Sequence, residues 1–122
     1  MSKALMLSSE QHAALLQLLA DTQQQRTVIT YRQVIEHLQL PAPSVRRLAY
    51  ALEQLAAVDH AQGWPLRSAL VVSQANPAHP QLGFMQYVTQ LGRFQGTIEA
   101  STVAVWLKQE LEQLYPFSYP EV

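Results

Sequence analysis

The sequence has 122 residues, with 8 basic and 9 acidic side chains and a formal net charge of −1. This length suits a single domain, since domains commonly contain about 100–200 residues. The absence of cysteine excludes a disulfide scaffold, a cysteine-based metal site and a cysteine nucleophile. Because the charges nearly balance, the composition does not indicate a protein that coats polyanions.

A first helix is predicted to begin at Ser8 or Ser9. Ser8 and Gln11 have the spacing of a capping box. The apolar stripe of this helix comprises Leu15, Leu18 and Leu19. Met1 to Ala20 contains no apolar run long enough for a signal core or a membrane span. We therefore predict no membrane partner, and a cytoplasmic location is expected.

A second helix is predicted from Tyr31 to about Gln39. Thr30 and Gln33 repeat the capping-box spacing at its start. Pro41 and Pro43 follow, and proline disfavours helical geometry in the residue before it. The helix is therefore expected to end before these prolines.

A third helix is predicted from Ser44, as its cap, to about Ala61, with Gly63 as a left-handed terminator. Its apolar residues cluster on one side of the helix. The outer side is predicted to carry Arg46, Arg47, Tyr50 and Gln54. Two helices joined by a short turn that contains proline form a helix-turn-helix pattern.

The second half of the chain predicts less regular structure followed by one more helix. Ser68–Val72 is a β-branched run that predicts a strand, and Asn76–Pro80 predicts a turn. Phe84–Phe94 fits a helix and a strand about equally, and we favour a second wing strand or a loop. A helix is predicted from Ser101 to Tyr115. The aromatic tail that follows, Tyr115–Pro120, is expected to lie extended on the body or on a partner.

Several of these segments resemble a known family. Val28–Val34 looks like the opening of the winged-helix domain of O6-alkylguanine-DNA alkyltransferases, and Arg46–Leu52 is similar to the start of its recognition helix. Pro65–Val72 falls where the family has an apolar strand and its reactive Pro-Cys-His-Arg motif. Val105–Lys108 resembles the closing helix. The resemblance covers residues 28–114, with added residues between the helices and before Trp64.

The reactive motif of the family is missing from this chain. When Val71 and Val72 are aligned with the valines after the motif, the reactive cysteine falls at Ser68, and its histidine and arginine at Ala69 and Leu70. The thiolate and the base that would activate it are therefore absent, which excludes alkyl transfer. No catalytic residue is predicted.

The resemblance also extends to alkyltransferase-like proteins, which lack the cysteine and still bind DNA. It implies that Arg46 takes the place of the arginine that enters the base stack, and Tyr31 that of the tyrosine near the target phosphate. Independently, arginines at the start of an exposed helix can contact phosphate or a guanine edge. Glu53 on the same outer side would repel phosphate. The predicted DNA-binding residues are Tyr31, Arg32, Ser44, Arg46, Arg47, Tyr50, Gln54 and Arg67.

Other functions have weaker support in the sequence. The four histidines lack metal-site spacing, so neither a metal nor another cofactor is predicted. Asp59, His60 and Ser68 lie close together in the sequence and carry the residue types of a hydrolase active site. No nucleophile elbow accompanies them, so we interpret their proximity as chance. The near-neutral charge, the acidic C-terminal helix and the aromatic tail leave open a protein-interaction module or a homodimer instead of a DNA-binding protein.

The predicted fold class is α+β: a helix-rich winged helix-turn-helix domain with a small β wing and a closing C-terminal helix. One domain covers residues 1–122. Its parts are an N-terminal helix in residues 1–27, the helix-turn-helix in 28–63, the wing and loops in 64–96, and the C-terminal helix with its tail in 97–122. The predicted function is non-enzymatic DNA binding.

Overall fold

The computed structural model describes residues 5–75 and 78–120. In chain order, the elements are α1 (Ser9–Gln24), β1 (Ile29–Thr30), α2 (Tyr31–Leu38), α3 (Ser44–Gln62), a 3-10 turn (Arg67–Leu70), β2 (Val71–Val72), α4 (Leu82–Leu91) and α5 (Ala100–Leu114). The helix-rich α+β class is therefore confirmed. None of the helices in the described ranges is both long enough and apolar enough to span a bilayer.

Local capping sets the starts of α1 and α2, as the sequence predicts. The Ser8 hydroxyl accepts from Gln11 N at 3.1 Å, and the Gln11 side chain accepts from Ser8 N at 2.8 Å. Thr30 and Gln33 make the same reciprocal pair at 3.1 and 3.0 Å. Each pair satisfies two N–H groups that a helix start leaves without a partner. α2 ends one residue earlier than predicted because Gln39 has φ 54°, in the left-handed region.

The third predicted helix is confirmed in its extent but not in its cap. α3 runs to Gln62, and Gly63 closes it with φ 75°. Pro43 occupies the capping position, and no side chain caps the helix start. Ser44 is itself the first helical residue, so its hydroxyl lies inside the first turn instead of before it. The prediction of Ser44 as the cap is wrong for that reason.

The predicted wing is replaced by a buried turn and a parallel strand pair. Only Val71 and Val72 of the predicted strand are extended, and the residues before them form the 3-10 turn. β2 lies parallel to β1, with Ile29 opposite Val71 and Thr30 opposite Val72. Within residues 5–75 and 78–120 this is the whole sheet, so no antiparallel wing is formed there. The turn and β2 are buried, which favours pairing inside the core over an exposed hairpin.

Residues 84–94 were predicted as a wing strand or loop, and this prediction is wrong. They begin inside α4, which ends at Leu91, with Gly92 as its left-handed terminator at φ 88°. Phe84, Met85 and Val88 face the core at helical spacing. The predicted turn residues Asn76 and Pro77 lie outside the described residues.

The C-terminal helix is confirmed as α5, and the described part of the tail lies on the body of its own chain. The Tyr119 hydroxyl donates to Pro65 O at 2.6 Å, and its ring contacts Trp64 edge-on. One core joins every helix. Its fully buried large side chains are Leu15, Leu19, Val34, Leu48, Leu52, Leu66, Leu70, Val71, Val72, Met85, Val88 and Leu114.

Candidate nucleic-acid interface

The first turn of α3 presents two exposed side chains. Val45 is 47% exposed, and Arg46 beside it is exposed. Within the described residues, the Arg46 guanidinium makes no hydrogen bond or ion pair. Arg47 instead donates to Pro41 O at 3.1 Å and Ala42 O at 3.4 Å, which holds the connection before α3. Arg46 is thus available to an external anion, while Arg47 supports the turn.

Two further predicted residues are Ser44, within this turn, and Arg32, near the start of α2. Ser44 is half-buried as the first residue of α3. Arg32, on α2, pairs with Glu36 at 3.2 Å, and these side chains are 72% and 64% exposed. An ion pair this open contributes little, at most about 1 kcal/mol. A phosphate can therefore compete with Glu36 for the Arg32 guanidinium.

Tyr50 and Gln54 do not form a free outer face. They line a cleft of about 350 Å³, whose opposite side is the segment Met6–Ser9 with His12 of α1. Tyr50 is half-buried, so it is covered in part by the N-terminal segment of its own chain and not by a wing. Arg46, Tyr50 and Gln54 follow one another at four-residue spacing, so this cleft adjoins the open turn at Arg46 on the same side of α3.

Tyr31 lies in the core and not at the surface. Only 6% of it is exposed, and its hydroxyl accepts a hydrogen bond from Gln81 N at 3.1 Å. Burial raises the pKa of Tyr31, and the hydrogen bond from Gln81 partly opposes the rise. The geometry does not bring this hydroxyl to a position where a bound phosphate would contact it.

Glu53, expected to repel phosphate, is turned partly inward. It lines a cavity of about 40 Å³ with Tyr31, Gln81 and Phe84. Burial raises the pKa of Glu53. Its charge lies between α3 and α4 and not on the first turn of α3, which lessens its repulsion of a phosphate bound there.

Arg67 is held inside the fold by Asp59, which is fully buried. Arg67 donates from its backbone N and its Nε to Asp59 Oδ2, at 2.9 and 3.3 Å, and from Nη2 to Oδ1 at 2.8 Å. The ring of Tyr119 lies 4.6 Å from the Arg67 guanidinium carbon. These partners engage the backbone N, Nε and Nη2 of Arg67, so a phosphate would have to compete with Asp59 for the guanidinium.

A second buried pair, which sequence reasoning missed, adjoins the first. Glu110 of α5 accepts from Arg93 Nη2 at 2.7 Å and from Leu66 N at 2.8 Å. The two carboxylates therefore fix successive backbone N–H groups of the segment that leads into the 3-10 turn. The signal was present in the sequence, because Glu110 shares the helical face of Leu107 and Leu114.

The position aligned with the reactive cysteine holds a buried structural serine. Ser68 is 1% exposed, and its hydroxyl donates to Leu52 O at 2.7 Å. Asp59 is engaged with Arg67, so it does not orient His60 toward Ser68. In the described ranges no three His, Asp or Glu side chains converge on a possible metal position.

Comparison of the chain with models of protein families, with curated proteins and with solved structures gave no match in any of the three.

Proposed function

We propose that the chain is a non-enzymatic DNA-binding protein that contacts the phosphate backbone through the first turn of α3. The observation that carries this proposal is the Arg46 guanidinium, exposed on the second helix of a helix-turn-helix and without an intrachain partner among the described residues. In helix-turn-helix proteins the start of the second helix lies in or against the major groove. The lack of a side-chain cap also leaves N–H groups of that turn open to a phosphate oxygen.

The proposed contact set is smaller than the predicted one. Arg46 and the first-turn N–H groups form its centre, with Ser44 beside them. Arg47 lies at its margin, and Arg32 on α2 is an additional exposed cation. Tyr50 and Gln54 line the neighbouring cleft, and Tyr31 and Arg67 are left out because both are held inside the fold.

So few cations imply modest and salt-dependent affinity. Each phosphate contact by a cation contributes about −0.9 to the slope of log Kobs against log salt concentration. With two or three such contacts, we expect a slope of roughly −2 to −3. The alkyltransferase-like resemblance adds a further expectation, a preference for DNA that contains O6-alkylguanine.

Fluorescence anisotropy with a labelled random duplex, and with the same duplex carrying one O6-alkylguanine, tests the proposal over a salt series. Arg46→Ala is expected to weaken binding by about 1–3 kcal/mol. Arg26→Ala removes the same charge at an exposed position after α1, outside α3 and outside the groove residues of α5, and serves as the matched control. Equal losses in both variants, or no binding of either duplex at low salt, would count against the proposal.

One observation favours the alternative of a protein-interaction module. α5 exposes apolar side chains on its outer face, and Val105 is 58% exposed. The described part of the aromatic tail does not extend this surface, because it packs on its own chain.

A further inference from the structure

α5 has two faces with the same spacing, and the fold buries one of them fully and the other only at its edge, where Leu111 and Tyr115 pack against the core. The inner face packs into the core through Val103, Leu107, Glu110 and Leu114. The outer face repeats the same spacing of four, three and four residues with Ala104, Lys108, Leu111 and Tyr115. This spacing is that of the seam along which two helices pack in a coiled coil.

The outer face contains a groove. A depression of about 340 Å³ runs along it, bordered by Ala78. A second depression of about 200 Å³ lies beyond the N-terminal end of the face and includes Leu82, which is 59% exposed. Val105 borders the face from the other side. Exposed apolar side chains beside such a groove can form a binding site for another helix.

Two opposite charges lie on this groove, one helical turn apart. Lys108 and Glu112 both line it and are both exposed. Neither makes an ion pair within residues 5–75 and 78–120. The pair makes the face complementary to itself, because an antiparallel copy of α5 brings Lys108 opposite Glu112 and Glu112 opposite Lys108.

We propose that the outer face of α5 binds a second copy of this chain, with the two α5 helices antiparallel about a twofold axis between Lys108 and Glu112. Such an interface is isologous, so each contact occurs twice. The same arrangement brings Val105 toward Tyr115 of the second copy. The proposal does not depend on DNA binding.

The size of the α5 face favours a weak dimer that dissociates on dilution. A helix of 15 residues is about 22 Å long. A stable interface buries about 800 Å² on each partner, which one helix face supplies only together with the neighbouring surface at Leu82. We therefore expect a monomer–dimer equilibrium that shifts with protein concentration.

Charge exchange provides the test. Sedimentation equilibrium over a wide concentration range measures association of the wild type, Lys108→Glu, Glu112→Lys and the double variant. Each single variant places like charges opposite one another and is expected to weaken association by at least about tenfold. The double variant restores opposite charges and should associate like the wild type.

Arg46→Glu makes the same charge change outside the groove and should leave association unchanged. Circular dichroism of each variant checks that the substitution leaves the fold intact. The proposal is overturned by a wild type that stays monomeric, by single variants that associate normally, or by a double variant that remains as weak as the single ones.

Discussion

Arg67 and Asp59 are joined by three hydrogen bonds, one of them from the Arg67 backbone. The pair fixes the end of α3 to the start of the 3-10 turn. The Tyr119 ring covers the guanidinium on a further side. Arg67 is therefore part of the internal frame of the protein, although its sequence position suggested a contact with phosphate.

Asp59→Ala is expected to lower the free energy of unfolding by about 3–5 kcal/mol, because it leaves the Arg67 guanidinium without its buried partner. Urea denaturation measures the change. Arg32→Ala, which breaks the exposed pair with Glu36, should cost no more than about 1 kcal/mol. Similar losses in the two variants would show that the Asp59–Arg67 pair is not protected from solvent.

Stability is expected to fall as the pH rises above 10. Burial raises the pKa of Tyr119 above its ordinary value of 10.0, and the negative charge of Asp59 raises it further. Burial also raises the pKa of Tyr31. Below pH 10 the hydroxyls are protonated in both states and stability is complete. At higher pH the unfolded chain loses these protons first, so unfolding becomes easier.

Tyr119→Phe isolates one of these groups. It removes the hydrogen bond to Pro65 O and should cost about 1 kcal/mol near neutral pH. Denaturation at several pH values above 9 should show a shallower decline in the variant than in the wild type. A decline of unchanged slope would show that Tyr119 does not contribute to it.

Gln23→Ala is expected to destabilise the contact between α1 and the end of α5. Gln23 Nε2 donates to Leu114 O at the end of α5 and to Phe117 O in the segment after it, both at 2.7 Å. We expect a loss of about 1–3 kcal/mol, measured by thermal or urea unfolding. Gln24→Ala, at the exposed neighbouring position, should be nearly neutral, and an equal loss there would contradict this role of Gln23.

Two glycine-to-alanine substitutions should change the stability of the protein in opposite directions. Gly63→Ala forces alanine to φ 75° at the end of α3 and should cost about 1 kcal/mol. Gly83→Ala lies in the first turn of α4 with open space around the added methyl, and should stabilise by about 0.4–1 kcal/mol. Thermal melts of both variants measure these effects. Melting temperatures that shift in the same direction in both variants would contradict the different roles given to Gly63 and Gly83.

The elements predicted correctly are those whose signals are local. The capping residues Ser8 and Thr30, the terminator Gly63 and the spacing of apolar residues in α5 identify helices without knowledge of the rest of the chain. α4 was missed because Phe84–Phe94 is short and rich in residues that favour both helix and strand. The prediction of a wing was wrong because β1 pairs with β2, which lies about 40 residues further along the chain, and local sequence patterns do not show such a pairing.

The sequence could not predict which candidate side chains have a partner inside the fold. The sequence shows that Arg67 and Tyr31 carry groups suited to DNA, but not that Asp59 and Gln81 engage them. Arg46 shows the opposite case. It was predicted to bind DNA because it lies at the start of the second helix of a helix-turn-helix pattern. In the structure its side chain is exposed to solvent.

Because Ile29 pairs with Val71, β1 cannot find its partner strand until the ribosome has synthesised β2. The ribosome produces β1, α2 and α3 before the strand that closes them has been made. A nascent chain that ends at Gly63 lacks β2 and the buried residues of the 3-10 turn, so the core side of α3 stays uncovered. We therefore expect such a chain to remain sensitive to proteases, and to gain resistance only once β2 has left the exit tunnel.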